Sequence, residues 1–362
     1  MSSSRLLSVI VPVREGNATL ARALNAILAS ELPRDSYELI VVDDASSDSS
    51  PELAARYADT VVRLTARKSG AAYARNRGAE LAKGEFLAFV DADVMVRPDT
   101  LPRMLTMLAD HPELDAVSAS HDHAAGAENI VSQYWNLLLR FGEQRHAGTS
   151  GNVASPCAII RRDVFHSAGM YDEWRFETER LEGIEFAQRL EESGRSVFSS
   201  RDIPITGLKQ WNLLSLCREV WGRSALLARS LGYQRTRVAV PSDVVFTLSR
   251  ALAPAFAVLC FLVISAAFVP TPNATIKAAI VLLGAIALNF PAYLSFARAR
   301  GILFAFVVAP LHILMQAVNG LGLCAGWVLR DAVGDREPDA TTQAYAEVGV
   351  EIWPPVPRAN GR

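Results

Sequence analysis

The sequence predicts an α/β domain on a mostly parallel sheet with helices on both faces, followed by apolar helices long enough to cross a membrane. Three observations carry that expectation. Short β-branched runs alternate with helical periodicity from residue 6 to about residue 120. Acidic residues stand at the ends of two of those runs, where such sheets bind ligands. The last third holds three stretches, Ala251–Val269, Ala278–Ala297 and Ile302–Leu329, without Asp, Glu, Lys or Arg.

The elements follow in order. Leu6–Val13 is a β-branched run, and Leu20, Leu24, Ile27 and Leu28 share one helical face behind Asn17 or Thr19 as a cap. Tyr37–Val42 is a buried run, Pro51–Tyr57 a short helix and Thr60–Leu64 a strand. Ala71–Leu81 reads as a helix, Phe86–Val90 as a strand, and Pro98–Leu108 as a helix opened by proline. Ala116–Ser120, Ile130–Phe141, Cys157–Ile160 and Glu182–Glu192 complete the set as strand, helix, strand and helix.

Length and composition bound the rest. The chain has 362 residues, enough for two domains. Its 36 basic and 38 acidic residues leave a net charge of -2, which gives no nucleic-acid signal. The mean hydropathy of +0.17 is high, and the excess sits in the last third. Cys157, Cys217, Cys260 and Cys324 show no CxxC spacing, so neither a disulfide framework nor a zinc site is expected. The N-terminus lacks the pattern of a signal peptide, which places the first domain in the cytosol.

Residues 1–210 are therefore the α/β domain and 211–243 a basic amphipathic segment with Trp211, Trp221 and interleaved arginines. That segment suits a membrane surface, or equally a helix packed on the domain. Residues 244–330 hold about three spans, and 331–362 a loosely ordered polar tail. Arginines before the first span and at Arg298 and Arg300 put the first domain inside and, with three spans, the tail outside. The expected location is a multi-pass cell membrane protein with a cytoplasmic catalytic domain. Pro310, His312, Gln316 and Asn319 allow the third segment to bend or re-enter.

Two acidic motifs carry the chemistry. Asp43 and Asp44 end the second strand, where a carboxylate accepts hydrogen bonds from a base edge or ribose. Asp91 and Asp93 follow the fourth strand and share one side of an extended chain, half of a hard divalent-metal site. Each motif alone also reads as a turn. Two such strand ends about fifty residues apart are harder to dismiss.

The stretches SVIVPVREGNATLARALNAIL, YELIVVDDASSD and GAAYARNRGAELAKGEFLAFVDADVMVRPDTL, across residues 8–101, closely resemble glycosyltransferase family 2. The likeness continues at lower specificity to about residue 232 through PCAIIRRDVFHSAGMYDE, EGIEFAQRLEESG and GLKQWNLLSL. The resemblance implies the GT-A fold, a nucleotide-diphosphate sugar as donor (a UDP-sugar in most members) and inversion at the sugar carbon. Carried over by position, Pro12 and Val13 form the nucleotide pocket wall, and Asp44 with Asp43 contacts the base. Lys68, Arg75 and Asn76 line the nucleotide and sugar. Asp91, Ala92 and Asp93 match the metal motif, with Asp91 and Asp93 as ligands of Mg²⁺ or Mn²⁺. For Arg75 a solvated helix face is the competing reading.

The chain departs from the family at two places. The family's general-base aspartate position holds Gly183, and a histidine that often precedes Leu-Lys is Gly207. Glu182 and Glu185 are the remaining base candidates, Glu182 preferred, with solvated helix faces as the competing reading. An acceptor whose nucleophile is already ionised, such as a phosphate oxygen, removes the need for a base. The expected partners are a nucleotide-diphosphate sugar, a lipid or glycan acceptor and the lipid bilayer, with no nucleic acid. A non-catalytic nucleotide-sugar-binding scaffold is the second reading, motivated by the two glycines.

Overall fold

The computed structural model describes residues 5–64, 70–145, 147–149, 155–173, 182–232, 284, 286–329 and 350–353. These form two compact units. The first comprises Met1–Ala127, Glu143–Lys209 and Asp335–Arg362, the second Glu128–Gly142 and Gln210–Gly334.

In the first unit the order is β1 (Leu7–Val13), α1 (Leu20–Leu28), β2 (Tyr37–Asp43), α2 (Ser50–Ala54), β3 (Thr60–Leu64), α3 (Ala71–Leu81), β4 (Phe86–Val90), β5 (Val94–Val96), α4 (Thr100–Asp110) and β6 (Ala116–His121). Helix α5 (Ile130–Arg145), most of which belongs to the second unit, follows; the first unit resumes with β7 (Gly148–Thr149), β8 (Cys157–Arg161), α6 (Arg162–Ser167), α7 (Glu182–Glu192) and β9 (Val197–Gly207). The second unit contributes α8 (Leu213–Gly232), α9 (Phe290–Arg300) and α10 (Ile302–Val328), and β10 (Val350–Trp353) closes the chain.

One sheet organises the first unit, in the order β10-β3-β2-β1-β4-β8-β6-β9-β5, with β7 on β9. The half carrying β3, β2, β1 and β4 is parallel. The sheet as a whole is mixed, because β8 runs antiparallel to both β4 and β6 and β5 runs antiparallel to β9. Parallel strands are buried on both faces, so their sequences read as continuous apolar runs. Alternation then sorts the side chains. Val9, Val11, Val13, Leu39 and Val41 join a core with α1 and α4, while Ile10, Ile40, Val42 and Val62 join a second core with α3. The result is a sheet between helical layers.

This register fixes the site. Val13 pairs with Asp43 and Ile10 with Phe89, so the carboxyl ends of β2 and β4 flank the end of β1. Asp43 and Asp44 stand on one side of β1 and the Asp91–Asp93 turn on the other.

The second unit has its own apolar core, in which Tyr134, Leu137, Leu216, Phe296, Val308 and Met315 are buried. Here three sequence expectations change. The stretch expected to span from Ala278 to Ala297 is interrupted at Asn289. A new helix starts at Phe290 with Pro291 in its first turn, where the missing N–H costs no bond, and it continues to Arg300. The expected span Ala251–Val269 lies outside the described residues. Among the described residues one helix, α10, has the length and apolar composition to cross a membrane, so a multi-pass arrangement is not supported. The tail expected to be loosely ordered and on the far side supplies β10, which pairs antiparallel with β3, Val350 opposite Leu64 and Trp353 opposite Val61.

Candidate nucleotide-sugar site

Asp43 is fully buried at the end of β2, and Asp44, next along, is almost so. One oxygen of Asp43 accepts from the Ser46 amide at 3.3 Å and lies 3.7 Å from Arg63. One oxygen of Asp44 accepts from the Gly70 amide at 3.0 Å and from Arg14 at 3.4 Å. The other carboxylate oxygen of each is buried without a hydrogen-bond partner. Burial pushes both carboxyls above their ordinary value of 3.8, against the hydrogen bonds and arginines that oppose it. Two adjacent orphaned acceptors are costly in a folded protein, and a ligand with matching N–H or O–H groups removes the cost.

Arg75 organises the other side of β1. It lies on α3 with its side chain 13% exposed and donates to Asp91 Oδ1 at 2.7 Å and to Glu182 Oε1 at 2.6 Å. The solvated helix face is therefore ruled out for this residue. Burial disfavours its charge, yet the two carboxylates more than offset that and hold the proton more tightly than usual. Tyr171 lies 5.8 Å from the guanidinium. Glu182 is 3% exposed at the start of α7, where the helix dipole favours an anion, and its Oε2 is buried without a partner.

The remaining sequence candidates fall into two groups. Asp91, Ala92 and Asp93 form a half-buried turn, in which Val94 donates its amide to the Asp91 carbonyl at 3.0 Å. Leu208 donates its amide to the Asp93 carbonyl at 2.7 Å, and Gly207 pairs with Val94. The Gly207–Lys209 segment thus borders this turn. Pro12 is half-buried on β1, opposite Val42.

Others are committed elsewhere. The Val13 side chain is turned into the core, and its carbonyl accepts the Asp44 amide at 2.8 Å, so it contributes backbone and not a side-chain wall. Asn76 is buried and donates to the Tyr171 carbonyl at 2.9 Å and to Glu173 at 2.8 Å. Its amide positions that loop. Glu185 is held by Arg189 through two contacts of 2.8 Å, while Arg189 also donates to the carbonyls of Ala168 and Met170. Of the two base candidates, Glu182 is the one in the acidic cluster. Lys68 lies outside the described residues. Arg161 and Arg162 donate to backbone carbonyls of Leu108, Leu114 and Ala82 and serve the scaffold. His121 is engaged by Glu143 at 2.7 Å, and Asp122 by Arg97.

Two participants had weaker sequence signals. Arg14 follows β1 directly, but an isolated arginine carries no pattern. Gly70 has φ +124°, a conformation side chains rarely adopt, and its amide donates to Asp44. A glycine just before the helical run of α3 was the available clue.

No three His, Cys, Asp or Glu side chains converge as a metal cage among the described residues. Asp91 and Asp93 offer hard oxygen donors in a half-exposed turn. Such a pair fits a Mg²⁺- or Mn²⁺-type cation that completes its shell with diphosphate oxygens and water. A cavity of about 520 Å³ lies elsewhere, between α4 and β9, and contains none of these residues.

Residues 8–169 match the family model described as glycosyl transferase family 2. Residues 8–169 thus carry a family 2 glycosyltransferase domain. The chain is 34% identical over 125 residues to an uncharacterized glycosyltransferase, YibD, of Escherichia coli, covering 34% of this chain and 36% of that protein. It is 28% identical over 178 residues to a beta-monoglucosyldiacylglycerol synthase of Trichormus variabilis, covering 46% of this chain and 38% of that one. The matches thus span little more than a third of these relatives. In structure, the chain superimposes on a mannosyltransferase from Pyrobaculum calidifontis, solved with GDP-Man and Mn²⁺, with a TM-score of 0.51. That match covers 91% of this chain and 88% of the other at 20% identity, and establishes the shared fold.

Proposed function

We propose that this protein transfers a sugar from a nucleotide-diphosphate donor to an acceptor at a membrane. The observation that carries the reading is the pair of orphaned carboxylate oxygens on Asp43 and Asp44 at one strand end flanking β1, with the Asp91–Asp93 turn at the other. Asp44 and Asp43 accept from the N–H and O–H groups of the nucleoside, with UDP the first candidate. The Asp91–Asp93 turn holds Mg²⁺ or Mn²⁺, which when bound offsets charge on the departing diphosphate. Arg75 keeps Asp91 and Glu182 in place.

The transfer is a single displacement with inversion. An acceptor oxygen bonds to the sugar carbon as that carbon's bond to the diphosphate breaks, and the nucleoside diphosphate leaves. For a hydroxyl acceptor the proton passes to Glu182 Oε2, the oxygen that Arg75 leaves open. For a phosphate acceptor the nucleophile is already an anion and Glu182 serves to fix Arg75. A lipid-linked acceptor is supported by the apolar surface of the second unit and by the diacylglycerol named in one relative. In this reading the first unit works in the cytoplasm.

Titration calorimetry of the full chain in detergent, with UDP, GDP and their sugars and with Mn²⁺ or Mg²⁺, tests the proposal. One nucleotide diphosphate is expected to bind, more tightly with metal, and at least ~10-fold more weakly in Asp44→Asn, since a hydrogen bond to a charged group contributes about 1.5–3 kcal/mol. Equal affinity in wild type and D44N contradicts the assignment.

A further inference from the structure

Helix α10 has 27 residues, about 40 Å of helix, which is enough to cross a bilayer. Its packing inside the second unit is at odds with a crossing. Close to its middle, His312 accepts or donates at 2.8 Å with the Tyr134 hydroxyl of α5, and its other nitrogen meets Asn289 at 3.0 Å. Helix α5 puts polar Gln133 and Asn136, both buried, and Arg140 beside its apolar residues near that contact. If the middle of α10 lay at the bilayer centre, these groups would lie there too, at a cost of several kcal/mol.

The second half of α10 is covered in the same way by α8. Asn319 accepts from Ser224, and a Cβ on Gly326 would meet the Ala225 carbonyl oxygen at 1.9 Å. Helix α8 carries exposed Arg218 and the ion pair Glu219–Arg223. One long face of α10 is thus covered inside the unit, with polar contacts to Tyr134, Asn289 and Ser224 set within the apolar packing.

The opposite face is apolar and open. Leu303, Val307, Leu314, Leu321 and Val328 are exposed and recur along one stripe. Arg298 and Arg300 are exposed at one end and Trp327 at the other, with Trp221 on α8. Arginine suits anionic headgroups, and tryptophan concentrates at the membrane interface.

We infer that α10 is an in-plane membrane helix. Its apolar stripe is buried in the outer part of one leaflet, its arginines lie at headgroup level, and it does not cross. The strand β10 supports this independently. It follows α10 in the chain and pairs with β3 of the sheet, so residues 350–353 lie on the same side of any membrane as the sheet. The number of crossings between residues 210 and 350 is therefore even, and the expected three spans with the tail outside are replaced. The choice of a bilayer as occupant rests on the proposed work at a membrane surface.

The test uses the full chain with its four native cysteines replaced and single cysteines placed at 303, 307, 314, 321 or 328. Each is labelled with an environment-sensitive fluorophore and reconstituted in phosphatidylglycerol-containing vesicles. The expected result is one shallow depth, about 5–10 Å, for all five. A depth profile that peaks at 314 overturns the inference, as do labels that remain in water. In the unsubstituted chain, a tag after Arg362 is expected to be digested or protected together with the first unit; opposite protection also overturns it. Donor turnover in the same vesicles reports separately on the transferase reading.

Discussion

Arg75 ties together two carboxylates from distant parts of the chain, Asp91 after β4 and Glu182 on α7. Arg75→Ala leaves Glu182 buried without its counter-charge, so a loss of about 3 kcal/mol is expected in urea unfolding; a loss below 1 kcal/mol contradicts the buried pairing. Asp43 and Asp44 give a pH signature. Their protons are held more tightly in the folded chain than in the unfolded one, so their contribution to stability is present below the ordinary value of 3.8 and is lost as pH rises through the raised values. Nucleotide donors favour the ionised carboxylates, so binding in mildly acidic solution expels protons. Calorimetry in two buffers of different ionisation enthalpy should detect that release in wild type and less of it in Asp44→Asn. The acidic residues were legible because each follows a buried apolar run. The bond from Arg75 to Glu182 was not, since 107 residues separate them and Gly183 drew attention to a missing aspartate.

At the scale of elements, β3, α3, β4 and α7 have the bounds that periodicity gives, because each is a complete run between turn residues. β9 was missed, since its exposed centre, with Arg201 and Asp202, breaks the alternation. β5 is three residues long and follows the acidic turn directly. β10 comes from a polar, proline-containing tail, and its pairing is supplied by the open edge of β3 and not by its own sequence. Two predictions belong here. Gly70→Ala forces a side chain into a conformation meant for glycine, at about 1–3 kcal/mol, and moves the amide that Asp44 accepts. Both a lower melting temperature and weaker nucleotide binding are expected; loss of stability without loss of affinity argues against that amide's role. Ending the chain at residue 349 re-exposes β3. Size-exclusion chromatography should then show self-association and calorimetry a lower Tm, whereas an unchanged monomer of unchanged Tm contradicts the pairing.

For the whole molecule, the first unit supplies a sheet with its acidic strand ends gathered around β1, and the second an apolar surface edged by arginine and tryptophan. The division of labour was visible in composition, which changes abruptly after residue 210. The number and direction of membrane passages was not, because hydropathy measures a segment's own solvation and not what packs against it. α10 illustrates this: its sequence is that of a span, while α8 and α9 cover one of its faces. The central claim is that the Asp91–Asp93 turn activates a nucleotide-sugar donor. The most direct measurement is release of nucleoside diphosphate from a panel of nucleotide sugars by the detergent-solubilised chain, with Mn²⁺ or Mg²⁺ and membrane lipid extract, beside Asp93→Ala. Release that requires metal and falls at least ~100-fold in D93A is the predicted result. Release that persists in D93A, or that proceeds equally after chelation, contradicts it.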